Sequence, residues 1–378
     1  MKTDILIIGG GLTGCALAYF LSKVGARTVV IEQHDLNTQA SGSNAGSIHA
    51  QLGASLFEDG QDKQLQTIAP IVPILMAGIE FWIKLEKELN EDFELQIMGG
   101  LMVTDRPEQM RAIERKVAYE RTLGLEIDVL SESDVRRIAP YVSNTMVGGA
   151  FCPSEGEANA LLVAPALARS ALRQGAIVMT QTRLLELSRE QRGFVAQTSK
   201  GRIEADRVVN CSGAHGGDIG RLLGVDLPIF GEPIQVSVTE PTGPLVRHLV
   251  YYAARRLTLK QSRRGALIIG GGWPSRYDSA GRLALCLESF RDNLAVCRHV
   301  VPAVGGVRVI RTWPAVVNDT ADSLPIIGEV RTAPGYFVAS FPQMGFTGGP
   351  ITAHIVANML LGASQDIDTS KFTPDRFQ

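Results

Sequence analysis

The chain has 378 residues, 45% hydrophobic and 20% charged, with 37 Lys and Arg against 39 Asp and Glu for a formal charge of −2. That balance excludes a basic footprint for nucleic acid or anionic membrane, and the length allows one large or two interleaved domains with an ample core. The five cysteines, Cys15, Cys152, Cys211, Cys286 and Cys297, include no C-x-x-C pair, so free thiols are expected and no metal site is expected.

In chain order, Ile5-Leu6-Ile7-Ile8 has the length and branching of a strand buried on both faces. Gly9-Gly10-Gly11-Leu12-Thr13-Gly14 follows, a G-x-G-x-x-G pattern opening a helix over Leu12 to Val24 that Gly25 ends. Such glycines serve a tight turn, backbone approach to a pyrophosphate and close helix–strand packing. Thr28-Val29-Val30-Ile31 is a second parallel strand, and Glu32 closes it where a carboxylate can accept ribose hydroxyls, with Gln33 beside it. The register of strand, glycines, helix, strand and acid predicts a dinucleotide site at Gly9, Gly11, Leu12, Thr13, Gly14 and Glu32, without choosing between NAD and FAD.

The small-residue loop containing Ser41, Ser43, Asn44, Ala45 and Gly46 suits backbone wrapped against a ligand, and His49 follows it as a candidate neighbour of a reactive ring. A first strand starting at residue 4 leaves no room for a signal or transit peptide, and Ile68 to Ile83, broken by Pro70, Pro73 and Glu80, reads as too short to span a bilayer. The expectation is a cytoplasmic protein without a transmembrane segment.

Helices are predicted over 65–90, 108–124 and 131–138, with a strand at 100–104. From Asn159 the α/β pattern returns: a helix to Arg173, a strand at 176–179, a meander over 183–206 and a buried strand at 207–210 running into Cys211-Ser212-Gly213. Residues 228–310 read mostly as strands (234–239, 256–261, 266–269) with a charged helix around 281–299. A strand at 336–339 precedes the turn Gly345-Phe346-Thr347-Gly348-Gly349-Pro350, which opens a helix to about Leu361. The expected fold is α/β: a Rossmann-like domain of discontinuous segments (1–90, 150–222, 308–378) with an inserted, mostly antiparallel β domain (91–149, 223–307) that binds substrate.

Together these landmarks, with Glu155-Gly156 and Asn159, Asn210 to Ala214, Arg311-Thr312-Trp313, Asp322 to Gly328 and Gly345 to Gly348, resemble the D-amino-acid oxidase/glycine oxidase superfamily of FAD-dependent amine oxidoreductases over nearly the whole chain. Asn44-Ala45-Gly46 and Leu259-Lys260-Gln261 with Ile268 to Gly271 look most like the β subunits of hetero-oligomeric dehydrogenases of hydroxyproline, proline or opines (octopine, nopaline). The resemblance implies non-covalent FAD, contacts from Cys211, Ser212, Gly213, Gly345, Phe346, Thr347 and Gly348, and oxidation of a C–N bond by hydride transfer to flavin N5. It also implies partner subunits carrying FMN or an iron–sulfur cluster, since this chain has no cluster motif. His49, Lys260 and Arg311 are the candidate catalytic residues.

One departure stands out. Oxidases of free amino acids in this superfamily carry Trp-Ala-Gly-x-Arg-Pro, whose arginine pairs with the substrate carboxylate; here Trp313-Pro314-Ala315-Val316-Val317-Asn318 puts valine at that position. Arg311, Arg308, Arg255 and Arg256 are possible substitutes. The alternatives left open are a stand-alone glycine- or D-amino-acid-type oxidase releasing peroxide, a non-catalytic flavoprotein, and an NAD-dependent dehydrogenase.

Overall fold

The computed structural model describes residues 1–377. Its first sheet is built around the strand Lys2–Ile8, whose Leu6 and Ile7 are fully buried. This strand pairs in parallel with Thr28–Ile31 on one side and with Gly201–Asn210 on the other. Ile177–Met179 extends the sheet beyond Thr28–Ile31; Tyr336–Ser340 extends it, also in parallel, beyond the end of Gly201–Asn210. Ile326–Glu329 and the hairpin Leu184–Glu190/Gly193–Thr198 complete it with antiparallel pairings. The central parallel strands therefore end at one edge, and Gly9, Glu32, Cys211 and Phe341 all begin there. That is the usual ligand edge of such a sheet.

The second sheet runs in the order Val309–Thr320, Ile229–Pro241, Ala266–Pro274, Thr258–Gln261, Leu249–Tyr252, Gly100–Thr104, Gly148–Cys152, Asp128–Ser131. All its pairings are antiparallel except Leu249–Tyr252 with Gly100–Thr104. Gly148–Cys152, which straddles the boundary expected at 150, and Val309–Thr320, which starts just past the one at 308, both pair in this layer. A small sheet of Ser47–Ile48, Gly156–Glu157 and Gln96–Ile97 joins the layers.

The helix Leu12–Lys23 packs against Ala160–Arg173 and Gly345–Leu361, and Ile71–Leu89 packs on the last of these. Three sequence expectations shift. The helix expected over 65–90 is two, Asp62–Ile68 and Ile71–Leu89, separated by Ala69 and Pro70. Within Asp62–Leu89 one 18-residue window, of mean hydropathy 1.7, is long and apolar enough to cross a bilayer by length and composition alone, but half of that window is buried inside the fold, as in a core helix. The helix expected around 281–299 is Leu287–Val300, after a short hairpin.

The third shift bears on the ligand edge. Residues 345–350, read as a turn, are the first turns of the helix Gly345–Leu361. Their glycines serve packing: a Cβ on Gly348 would lie 2.4 Å from the Phe341 ring, and one on Gly349 would lie 2.9 Å from Thr13 Oγ1. Pro350 has no N–H for the carbonyl four residues back, that of Phe346, and Trp82 Nε1 donates to that oxygen instead at 3.1 Å.

Candidate active site

Close backbone contacts make the cradle at the ligand edge. A Cβ on Gly14 would lie 1.9 Å from the Gly9 carbonyl oxygen; Gly9 itself has φ +110°, and its Cβ would lie 2.5 Å from the Cys211 carbonyl oxygen. No side chain fits at either place. Ser41 Oγ accepts the Leu12 N–H at 2.9 Å, fixing the 41–46 loop against the helix start. Glu32 accepts the Gly10 N–H (2.8 Å) and the His34 N–H (2.9 Å), one on each carboxylate oxygen, which leaves lone pairs free for hydroxyl donors. Gln33 is exposed beside it.

The loop continues with Gly46 at φ +80°, where a Cβ would lie 2.2 Å from the Ala158 carbonyl oxygen. Trp313 Nε1 donates to the Ser43 carbonyl at 2.9 Å. Gly349 against Thr13 brings the N-termini of two helices, Leu12–Lys23 and Gly345–Leu361, to one place, so two positive dipole ends face the same region. The first backbone bond into the later helix is Gly348 N–H to Met344 O at 3.0 Å, so the N–H groups of Gly345, Phe346 and Thr347 precede it. Cys211 contributes main chain, while Ser212 is turned onto Asn210 Oδ1 and Gly213 adopts φ +58°.

Beyond this edge lies a cavity of about 680 Å³ between the two sheets. The 43–45 loop and Met344 to Phe346 border it on the cradle side; Tyr251 to Thr258 form the wall contributed by the second sheet. The charged side chains lining it are Glu232, Arg255 and Arg256, and Val317 is also in its wall. Glu232 is the register partner of Val317. Arg255 lies over the Trp273 ring (5.3 Å) and pairs with Asp292 (3.3 Å); Arg256 donates one N–H to the Gly272 carbonyl at 2.6 Å.

Of the three catalytic candidates, only His49 lines this cavity. Burial holds its imidazole below the usual histidine range, Glu155 opposing and Lys260 assisting, and the His49 main-chain N–H donates to Thr347 Oγ1 at 3.0 Å. Lys260 is 1% exposed and reaches the cavity through Ser47, to whose Oγ it donates at 2.7 Å. Burial lowers its pKa, opposed by Glu157, whose own pKa burial raises. Arg311 stays outside the cavity, exposed and stacked over Trp313 at 5.8 Å.

The sequence reading missed a buried polar chain behind His49. Lys116, Glu120 and Glu155 are each 0% exposed. Lys116 donates to Glu120 (2.7 Å) and to Gln51 Oε1 (2.9 Å); Glu120 also accepts the Leu52 N–H at 2.6 Å. Glu155 accepts four donors: the N–H groups of Ala50 and Gln51 (each 2.7 Å), Gln51 Nε2 (2.8 Å) and the Tyr251 hydroxyl (3.0 Å). Burial raises the Glu120 pKa against the pull of Lys116, and burial with Glu155 holds Tyr251 well above the ordinary phenol range. A signal existed in Glu155-Gly156, a landmark to which the sequence attached no role.

A profile of the family described as FAD dependent oxidoreductase (DAO) matches residues 4–359. The chain belongs to this family. It is 25% identical over 384 residues to a glycine oxidase of Geobacillus kaustophilus, covering 99% of this chain and 97% of that one. It is 24% identical over 391 residues to an opine oxidase subunit of Rhizobium meliloti, covering 100% and 98%. Among solved structures, L-proline dehydrogenase from P. horikoshii superposes with a TM-score of 0.87 at 23% identity, covering 100% and 98%.

The protein is thus an FAD-dependent oxidoreductase, and the mixed α/β fold is that of the DAO family. The cradle's geometry fits such a cofactor, with free carboxylate lone pairs at Glu32, backbone that leaves no room for a Cβ at the start of Leu12–Lys23, and the 43–46 loop and the start of Gly345–Leu361 at the border of the cavity; these are the residues that would hold it. A nicotinamide dinucleotide would leave the latter two without a role.

Proposed function

We propose that this chain oxidises the C–N bond of a small amino-acid-derived secondary amine or imino acid of opine or proline/hydroxyproline type. In this reading it is the catalytic subunit of a hetero-oligomeric dehydrogenase whose partner chains carry FMN or an iron–sulfur cluster. FAD, when bound, would supply the two-electron acceptor for the hydride lost from the substrate carbon. The observation that carries the reading is the charge layout of the cavity. Valine occupies the position of the usual carboxylate anchor, with Glu232 beside it, and the lining cations are Arg255 and Arg256 in the turn between the strands Leu249–Tyr252 and Thr258–Gln261.

A substrate carboxylate then pairs with the Arg256 guanidinium, which has N–H donors left over after bonding the Gly272 carbonyl. The substrate ammonium gives up its proton to solvent on binding, because the reactive amine must present its lone pair to stabilise the developing iminium, and His49, which burial disfavours as a cation, adds no positive charge beside that centre. The walls exclude water around the reacting carbon. Likeness to one chain of a multi-chain opine oxidase supports both the substrate class and a partner. Likeness to a glycine oxidase favours a second reading, a stand-alone oxidase handing electrons to oxygen.

Anaerobic mixing with opines, prolines, glycine and D-amino acids tests this, read as loss of the oxidised-flavin band. An opine or proline is expected to bleach it within seconds, while turnover in air yields little peroxide from the isolated chain. Rapid peroxide release with glycine overturns the partner requirement; no bleaching by any amine overturns the reading.

A further inference from the structure

The chain from Lys116 to Tyr251 has a fixed direction. An ammonium only donates, so Gln51 must turn its amide oxygen to Lys116 (2.9 Å) and its Nε2 to Glu155 (2.8 Å). Each Glu155 oxygen takes two donors, so the group serves purely as an acceptor. The Tyr251 hydroxyl has one proton, and it is spent on Glu155 at 3.0 Å. Tyr251 also lines the cavity, and with its proton committed to Glu155 its oxygen could offer a ligand there only lone pairs.

We infer that Tyr251, held as an acceptor by Glu155, Gln51 and Lys116, selects substrates that bring an N–H to this point of the cavity. The inference rests on the reading that an amine occupies this cavity. A neutral secondary amine satisfies both needs: its N–H donates to Tyr251 and its lone pair stays free. A neutral tertiary amine has no N–H, and an ether oxygen or carboxylate meets the phenol oxygen lone pair to lone pair. Tyr251 is therefore a specificity residue that touches substrate, and Glu155, Gln51 and Lys116 are positioning residues that act through it. Lys116 works from the helix Pro107–Thr122, wholly buried and outside the cavity lining. The other proton of an arriving ammonium leaves to solvent, and His49, whose ring centroid is 6.0 Å from that of Tyr251, adds no charge beside the amine.

The test uses the FAD-loaded chain and two unreactive rings of the same shape, pyrrole-2-carboxylate with an N–H and 2-furoate with an oxygen in its place. Perturbation of the flavin spectrum measures each binding constant without turnover. The wild-type chain is expected to bind the pyrrole at least about tenfold more tightly than the furan, the order of one hydrogen bond to a buried partner. Tyr251→Phe is expected to bring the two within about twofold, chiefly by weakening the pyrrole. Lys116→Met, which frees Gln51 to turn and the phenol proton to face the cavity, is expected to shrink the ratio as well. A purely structural role would weaken both rings alike and leave the ratio unchanged. A wild-type chain without the preference, or a Tyr251→Phe variant that keeps it, overturns the inference. A chain that amines bleach but that lacks the preference sinks the inference alone and leaves the proposed function standing.

Discussion

At the carboxyl edge of the first sheet the surface is main chain; in the wall of the cavity it is side chains held by other side chains. The cradle depends on missing atoms: Gly9 and Gly14 approach neighbouring carbonyl oxygens so closely that no Cβ fits. The wall depends on added ones. Lys116 and Glu120 on one helix, with Gln51, Glu155 and Tyr251 from three other segments, form one buried series of hydrogen bonds that converges on Glu155. The difference is physical: backbone geometry tolerates little substitution, whereas a wall of side chains changes its chemistry with a single residue.

The severest challenge to that contrast is Gly14→Ala. The added methyl would sit 1.9 Å from the Gly9 oxygen, so the helix must move off the strand. We expect purified protein with almost no flavin absorbance and a stability loss of about 3 kcal/mol, read by urea unfolding. A variant that keeps its FAD would show that the cradle is not set by backbone approach.

Next in size is Lys116→Met, which leaves the Glu120 carboxylate buried without its cation. A loss of about 3–5 kcal/mol is expected, and Lys116→Met with Glu120→Leu should recover most of it, because removing both partners abandons no charge. Equal losses in the single and double variants would mean that packing, not charge, dominates the wall.

A smaller effect is expected from pH. Burial depresses the His49 pKa below its ordinary 6.5. Below about pH 6.5 the unfolded chain takes up this proton while the folded chain does not, so stability falls as pH drops through that window, by up to about 1.4 kcal/mol per pH unit for one group, and is unaffected above it. His49→Gln should lose that part of the slope when melting temperatures at pH 7.5 and 5.5 are compared with wild type. An unchanged slope would place the titration elsewhere.

Least of all should happen at Arg311, exposed over Trp313 and outside the cavity. Arg311→Ala is expected to change stability by less than about 0.5 kcal/mol and kcat/KM by less than about twofold. A tenfold fall in kcat/KM would bring this arginine back into the site.

Local sequence determined the nucleotide-binding core: the strand Lys2–Ile8, its glycine turn, the helix Leu12–Lys23 and the acid at Glu32, because strand, turn and helix signals there lie within three dozen residues and agree. It also pointed to FAD, through the order of the later glycine-rich landmarks. It misread 345–350 as a turn, because two glycines and a proline look alike whether they bend a chain or relieve packing. Only the Phe341 ring and Thr13, brought close by the fold, show that packing is the reason. The cavity wall was legible still less. Gln51 meets Lys116 and Glu155 across 65 and 104 residues, and Glu155 meets Tyr251 across 96. No periodicity records such partners, and a buried lysine in a charged, helix-forming stretch reads as surface until the fold closes over it. The sequence alone settled which cofactor and which family; the direction of the hydrogen bonds facing the substrate was decided by tertiary structure, because only there do donor-only and acceptor-only groups become neighbours without water between them.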